Sequence, residues 1–144
     1  MAFEKPYTEG VSFCKKKITH HFSFFTLMAV EKNHYWQDVF AVVRLIPKGR
    51  ISTYGAIADY LRLGSPRMVG WALNHSGHDP NDIPAHRVVN RKGELSGRHH
   101  FRPPERMQQL LELEGVTVTD DVVQNFNALL WQPLADLELD ADFD

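Results

Sequence analysis

The sequence is poor in cysteine, since Cys14 is the only one among 144 residues. A single thiol excludes an intrachain disulfide and a clustered thiolate metal site. A reducing cytoplasm is therefore the expected compartment. The four histidines at positions 75, 78, 99 and 100 follow no spacing typical of a zinc motif, so we expect no metal and no cofactor.

Long hydrophobic runs are also missing. Ile18 to Val30, after three lysines, resembles the core of a signal peptide, but His20 and His21 interrupt it and no small-residue cleavage site follows. We expect neither export nor membrane attachment. Met28 could equally be the true start, so residues 1–30 are predicted to form a flexible N-terminal extension.

The chain lacks an excess of positive charge: 16 Lys and Arg stand against 18 Asp and Glu, a formal net charge of −2. This balance is unusual for a protein that approaches phosphates. The last ten residues, 135–144, contain five acidic residues and no basic one, and we expect this tail to be disordered. Residues 1–134 alone carry +3, a mildly basic balance.

The residues that are present predict one compact domain over 31–134, because 43% of the chain is hydrophobic. Apolar residues recur at intervals of three and four from about Tyr35 to Ile46 and predict a helix ended by Pro47 to Gly49. The residues on this face are Trp36, Val39, Phe40, Val43 and Ile46.

Two short helices are predicted next. Ser52 or Thr53 can cap a helix that runs through Leu61 and stops at Gly64. Ser65 and Pro66 are suited to begin the following one, through about residue 74. Two short helices with a tight turn are typical of a helix-turn-helix, whose second helix lies against DNA, although an ordinary helical hairpin has the same pattern.

The remaining sequence of the domain predicts a loop, short strands and one more helix. Residues 74–82 form the loop, and Val88 to Asn90 form a strand that turns back at Lys92-Gly93 toward residues 94–96. A helix is predicted from about Pro104 to Glu114, ended by Gly115. Residues 116–118 and 125–131 are expected to form a closing hairpin. The fold class is therefore mainly α with a short β-hairpin.

Four motifs between residues 35 and 133 resemble, in order, those of the O6-alkylguanine-DNA alkyltransferases. They are Tyr54-Gly55-Ala56-Ile57-Ala58, Arg67-Met68-Val69-Gly70, Pro84-Ala85-His86-Arg87-Val88-Val89 and Leu113-Glu114-Gly115. The resemblance implies a winged helix-turn-helix domain like the C-terminal domain of that family.

Ala85 stands where the family has its alkyl-accepting cysteine. A methyl side chain cannot form a thiolate, so the resemblance points to the alkyltransferase-like proteins, which bind alkylated guanine and do not repair it. His86 and Glu114 match the residues that activate the cysteine and are expected to remain as a hydrogen-bonded structural pair. Arg87 is expected to fix the same loop.

The resemblance implies a non-enzymatic sensor of DNA damage. It would flip O6-alkylguanine out of double-stranded DNA and flag it for nucleotide excision repair proteins, as a monomer. Ala85, smaller than cysteine, is predicted to admit bulky alkyl groups.

The predicted DNA-binding residues are Tyr54, Arg67, Gly70 and Arg98. Arg67 would fill the gap left by the flipped nucleotide, and Tyr54 would press on its phosphate. Gly70 would allow the helix to approach the backbone. Arg98 would stack on the extruded base by cation–π attraction.

The predicted lesion pocket consists of Tyr54, Pro84, Ala85, Val88 and Arg98. In isolation, Arg67 would be interpreted as a solvated surface residue and Tyr54 as a half-buried core residue. Trp71 is left out of the site, because an aromatic residue next to a helix face is usually part of the core.

The sequence departs from the family in two places. The Arg98-His99-His100-Phe101 run matches no known role, and the spacing from Arg67 to Ala85 is a residue longer than usual. Two alternatives stay open: an alkyltransferase with an engineered change of cysteine to alanine, and a winged-helix transcription regulator that reads the major groove with residues 65–74.

Overall fold

A computed structural model of the chain describes residues 24–77 and 79–141. Most of the predicted N-terminal extension, with Cys14, and also His78 lie outside the described residues. Six α-helices and four short strands are present: α1 (Phe24–Leu45), β1 (Ser52–Thr53), α2 (Tyr54–Leu61), α3 (Pro66–Asn74), β2 (Val88–Val89), α4 (Glu105–Leu113), β3 (Val118–Thr119), β4 (Val122–Val123), α5 (Phe126–Leu129) and α6 (Pro133–Ala141). Two 3-10 turns, Ala85–Arg87 and Arg98–His100, complete the described elements.

The first helix begins at Phe24, earlier than the predicted start near Tyr35. No glycine or proline interrupts residues 24–46, so nothing in the sequence stops the helix there. Its C-terminal half buries Val39, Val42 and Val43 against α2 and α3. The boundary predicted at residue 31 therefore falls inside a helix.

The helix-turn-helix is built from α2 and α3. The Thr53 hydroxyl accepts a hydrogen bond from the Ala56 N–H (3.0 Å), and the Ser65 hydroxyl accepts one from Arg67 (3.1 Å). Both caps satisfy backbone donors that a helix start leaves open. Helix α2 ends at Leu61 as predicted, and Arg62, with φ 58°, adopts the left-handed cap conformation before Gly64 is reached.

The strand predicted at residues 88–90 is present over Val88–Val89 and the chain turns back after it, but the strand does not pair as a ladder with residues 94–96. Strand β2 instead pairs in parallel with β1, with Ser52 opposite Val88 and Thr53 opposite Val89. Both valines are fully buried, and a parallel pair inside the core covers them better than a surface hairpin would. Asn90 still begins a turn, since its carbonyl accepts the Gly93 N–H (2.9 Å).

The closing hairpin is shifted from its predicted place. It joins β3 and β4 through Asp120 and Asp121, both with positive φ, as two-residue hairpin turns require. Residues 125–131, predicted as its second strand, contain the short helix α5.

The acidic tail at residues 135–144, predicted to be disordered, is helical as far as Ala141 in a helix that begins at Pro133, and residues 142–144 lie outside the described residues. The Asp136 carboxylate accepts the Gln132 N–H at 2.6 Å, which caps the start of α6. Leu137 packs half-buried against the core, and α6 contacts α2. The Asp136 cap and the packing of Leu137 thus stabilise a helix in a segment whose composition is typical of a solvated tail.

The predicted fold class, mainly helical with a small sheet and a helix-turn-helix, is confirmed. Within the described ranges, none of the helices is long and apolar enough to cross a membrane.

Candidate functional site: a cavity beside the second helix of the helix-turn-helix

A cavity of about 410 Å³ opens between α3 and the segment that runs from Ala85 to Phe101. Its walls come from both helices of the helix-turn-helix and from both 3-10 turns. The lining residues are Tyr54, Pro66, Arg67, Gly70, Trp71, Leu73, Asn74, Ala85, Ser96, Gly97, His100 and Phe101.

Helix α3 forms one wall because its residues divide between two faces. Val69 and Ala72 are fully buried and attach the helix to the core. Arg67 is exposed, and Trp71, one turn later, is 58% exposed. Gly70 has no atom within 4 Å of the position a Cβ would occupy, so the helix surface is open there.

The opposite wall is fixed by the β1–β2 pair. Ala85 begins the 3-10 turn that leads into β2, and it is 7% exposed. Tyr54 follows directly after β1. A Cβ on Gly97 would lie 2.7 Å from the Tyr54 hydroxyl oxygen, so a larger residue at this position would have to displace the tyrosine. Burial raises the pKa of Tyr54, and a hydrogen bond with the Ser96 side chain partly offsets this effect.

Behind Ala85 lies a buried network centred on Glu114. His86 Nε2 lies 2.8 Å from Glu114 Oε2, and the Arg87 guanidinium donates to both oxygens of the same carboxylate. Arg87 Nη1 also donates to the Ile46 carbonyl (2.7 Å), and the Gly49 N–H donates to Glu114 (3.1 Å). The predicted pairing of His86 with Glu114 and the loop-fixing contacts of Arg87 are present.

The network keeps Glu114 ionised and His86 neutral at pH 7. Burial alone raises the pKa of Glu114, but the hydrogen bonds from Arg87, His86 and Gly49 outweigh it and hold the pKa at about 2. Burial is also the largest effect on His86, where it lowers the pKa despite the contact with Glu114. A neutral imidazole that donates from Nε2 leaves Nδ1 as an acceptor, and this atom is buried with no hydrogen-bond partner among the described residues.

Ala85 offers His86 no group to activate. Ala85 is the residue between this network and the cavity, and its methyl group is neither acid nor nucleophile. The arrangement can position the loop, but it cannot carry out an alkyl transfer at position 85. Over residues 24–77 and 79–141, no group of three or more His, Cys, Asp or Glu side chains is placed to hold a metal ion.

Three residues of the predicted pocket do not line the cavity. Val88 is fully buried in β2 and Pro84 is buried before the 3-10 turn. Arg98 turns toward the β3–β4 hairpin, where its Nε lies 3.5 Å from Asp121 Oδ2. Charge attraction to that carboxylate accounts for its direction. Tyr54, Ala85, Arg67 and Gly70 do line the cavity.

Sequence reasoning missed several lining residues, chiefly Trp71, His100 and Phe101. Trp71 was assigned to the core, although its position one turn after Arg67 places both on one helix face. His100 and Phe101 belong to the run without a known role. Their position could not be found from the sequence, because it depends on the 3-10 turn Arg98–His100.

Comparison with known proteins agrees with this geometry. The profile of the family described as 6-O-methylguanine DNA methyltransferase, DNA binding domain, matches residues 34–116. Alkyltransferase-like protein 1 of Schizosaccharomyces pombe is 35% identical over 106 residues, which cover 70% of this chain and 97% of that protein. The DNA base-flipping protein of Vibrio parahaemolyticus is 38% identical over 97 residues, 67% of this chain and 94% of that protein.

The fold is also similar to a solved complex. A crystal structure of S. pombe Atl1 with damaged DNA containing O6-carboxymethylguanine superposes with a TM-score of 0.62 at 33% identity, over 72% of this chain and 100% of the other. The chain therefore belongs to the 6-O-methylguanine DNA methyltransferase DNA-binding-domain family and, within it, to the alkyltransferase-like proteins.

Proposed function

We propose that this protein is a non-enzymatic DNA damage sensor that binds duplex DNA containing O6-alkylguanine and flips the modified base into the cavity. The observation that carries the proposal is Ala85 in the wall of a cavity that also contains Arg67 of α3. The site combines a cavity with a side chain at position 85 that cannot accept an alkyl group.

The size of the cavity supports this ligand. A volume of about 410 Å³ lies within the range of about 300–1,000 Å³ typical of small-molecule sites. Ala85 and Phe101 give it apolar surface, while Ser96 and His100 supply polar groups at its edge. A guanine with an added alkyl group has both apolar and polar parts, so it matches this combination of apolar and polar lining groups.

Arg67 is proposed to occupy the gap that the flipped base leaves in the duplex. It is exposed at the start of α3 and lines the same cavity. A planar guanidinium can stack on the neighbouring bases and donate to the unpaired partner base. Such contacts offset the few kcal/mol that unstacking a base costs. Tyr54 is proposed to press on the phosphate of the flipped nucleotide.

The later steps belong to the same proposal. Recruitment of nucleotide excision repair proteins rests on the resemblance to the family, and a cytoplasmic location rests on the single cysteine. Action as a monomer is expected, and light scattering of the DNA complex should give one protein per duplex. Pull-down of purified repair proteins on lesion DNA, with and without this protein, tests the recruitment step.

The experiment that tests the proposal is a fluorescence-anisotropy titration of two matched duplexes, with guanine or O6-methylguanine at one site, at fixed moderate salt. Mass spectrometry of the protein follows. We expect much tighter binding to the lesion duplex and an unchanged protein mass. Equal affinity for both duplexes would remove lesion recognition and favour a sequence-reading regulator. A mass increase of one methyl group would show alkyl transfer.

A further inference from the structure

Trp71 is the only aromatic residue among the four large hydrophobic side chains that are exposed in the described part of the chain. Its indole is 58% exposed on α3, whereas Trp36 is half-buried and Trp131 is 5% exposed. A lone exposed apolar residue is common on protein surfaces. This one differs because it lies at a cavity and one helical turn after Arg67.

The backbone that carries Trp71 is held in place from behind. The Trp71 carbonyl lies 2.7 Å from His75 Nδ1, and the His75 ring stacks on Trp36 of α1 with centroids 4.3 Å apart. This contact ties the end of α3 to α1. The indole is thus presented from an anchored helix, which reduces the ordering entropy lost on binding.

Arg67, Gly70 and Trp71 form a strip along the open face of α3: a cation, a position without a side chain, and an aromatic ring. The open space at Gly70 lets a DNA backbone come close. Aromatic rings stack on any nucleobase, because every base has a π-face. Apolar side chains also wedge into base steps that are already partly unstacked.

We propose that Trp71 is a second DNA-contacting residue, whose indole stacks on a base of the duplex next to the flipped nucleotide. This inference rests on the proposed function for the orientation of α3 toward DNA. Arg67 fills the place that the flipped base leaves in the duplex, and Trp71 keeps the neighbouring base step unstacked. The contact does not involve the alkyl group, so it contributes to binding of damaged and undamaged duplex alike.

Binding and fluorescence measurements test this contact together. Trp71→Ala should weaken binding of both the O6-methylguanine duplex and the guanine duplex by about 5- to 150-fold, with their affinity ratio preserved. Trp71→Phe keeps a stacking ring and should retain most of the affinity. Leu113→Ala removes an apolar side chain on α4 that is even more exposed (77%) and serves as the control, expected to bind like the unchanged protein.

Tryptophan emission gives an independent readout. Saturating DNA should quench the tryptophan emission of the unchanged protein, and Trp71→Phe should lose most of this quenching, because Trp131 is buried and Trp36 is half-buried against His75. Normal binding by Trp71→Ala, or quenching that persists in Trp71→Phe, would overturn the inference. A loss confined to the lesion duplex would also overturn it, since Trp71 would then contact the adduct. Equal affinity of the unchanged protein for both duplexes refutes the proposed lesion recognition but leaves the Trp71 effect measurable.

Discussion

Under the proposed function, two residues of the cavity contribute to lesion binding in opposite ways. Ala85 acts by being small, since its methyl group leaves volume where a larger side chain would stand. Arg67 acts by being long and charged, and it extends from the exposed start of α3. Substitution of one should change which lesions are bound, and substitution of the other should change how tightly any lesion is bound.

Arg67→Ala should weaken binding of the O6-methylguanine duplex by about ten- to a hundredfold, because the vacated place in the duplex is then unfilled. Anisotropy titration measures this loss. Lys48→Ala removes the same charge from an exposed residue that does not line the cavity. If both variants lost the same affinity, the role of Arg67 would be reduced to its charge.

Ala85→Trp should discriminate against bulky adducts, because an indole in the wall would fill much of the cavity. We expect a small loss for O6-methylguanine and a loss at least tenfold larger for an O6-benzyl adduct, about 1.4 kcal/mol in difference. Competition titrations with the two lesion duplexes give the ratio. An unchanged ratio would mean that position 85 does not set the size limit.

At the scale of elements, the β3–β4 hairpin restrains Arg98. The exposed ion pair with Asp121, at 3.5 Å, adds little to stability, about 1 kcal/mol or less. It does hold the guanidinium away from the cavity that Arg98 was predicted to serve.

Asp121→Asn should therefore tighten lesion binding by about two- to fivefold if Arg98 acts on the extruded base, with a nearly unchanged melting temperature. Anisotropy and thermal unfolding of the variant test both statements. Adding Arg98→Ala to the variant should abolish the gain. Unchanged affinity in Asp121→Asn would leave Arg98 with a structural role in the hairpin.

Elements with local signals were predictable from the sequence, and elements defined by distant partners were not. Ser65 and Pro66 mark the start of α3 because a cap depends on neighbouring residues alone. The partner of Val88 lies in β1, at Ser52, and no local pattern in the sequence identifies it. The same holds for the cavity: Ala85 was found through a motif, whereas the positions of His100 and Phe101 required the fold.

At the scale of the whole molecule, the Glu114 side chain connects its own segment of the chain to two distant segments. Its carboxylate receives hydrogen bonds from the loop before β1, through Gly49, and from the 3-10 turn, through His86 and Arg87. Its side chain is only 8% exposed. Removal of one partner from such a buried ion pair leaves the other charge uncompensated.

Glu114→Gln should lower the free energy of unfolding by about 3 kcal/mol at pH 7, measured by urea denaturation. Glu112→Gln, which changes an exposed carboxyl near the end of α4, is the control and should change the free energy of unfolding by less than about 0.5 kcal/mol.

The stability of the unchanged protein should also fall as the solution becomes more acidic. The Glu114 pKa is about 2 in the fold and 4.5 ordinarily, so its contribution is complete above pH 4.5 and is lost as the pH falls toward 2.

His86 acts in the same direction, because its pKa is lowered by burial. Below the ordinary value of 6.5 the unfolded chain takes up a proton that the buried ring does not, so the decline in stability begins there. Glu114→Gln should flatten the part of the profile between pH 4.5 and 2. A profile equally steep in this variant would assign the acid sensitivity to other carboxyls.

The parallel pairing of β1 with β2 has an energetic consequence for the DNA. It joins the segments that carry Tyr54 and Ala85 through the core, so under the proposed function we expect the cavity to be formed before DNA binds and the nucleic acid to bear most of the deformation energy. A nucleotide that is already weakly paired is cheaper to extrude. The same lesion opposite a poorly pairing base should therefore be bound more tightly than one opposite cytosine, and the protein should favour damage that has already loosened its surroundings.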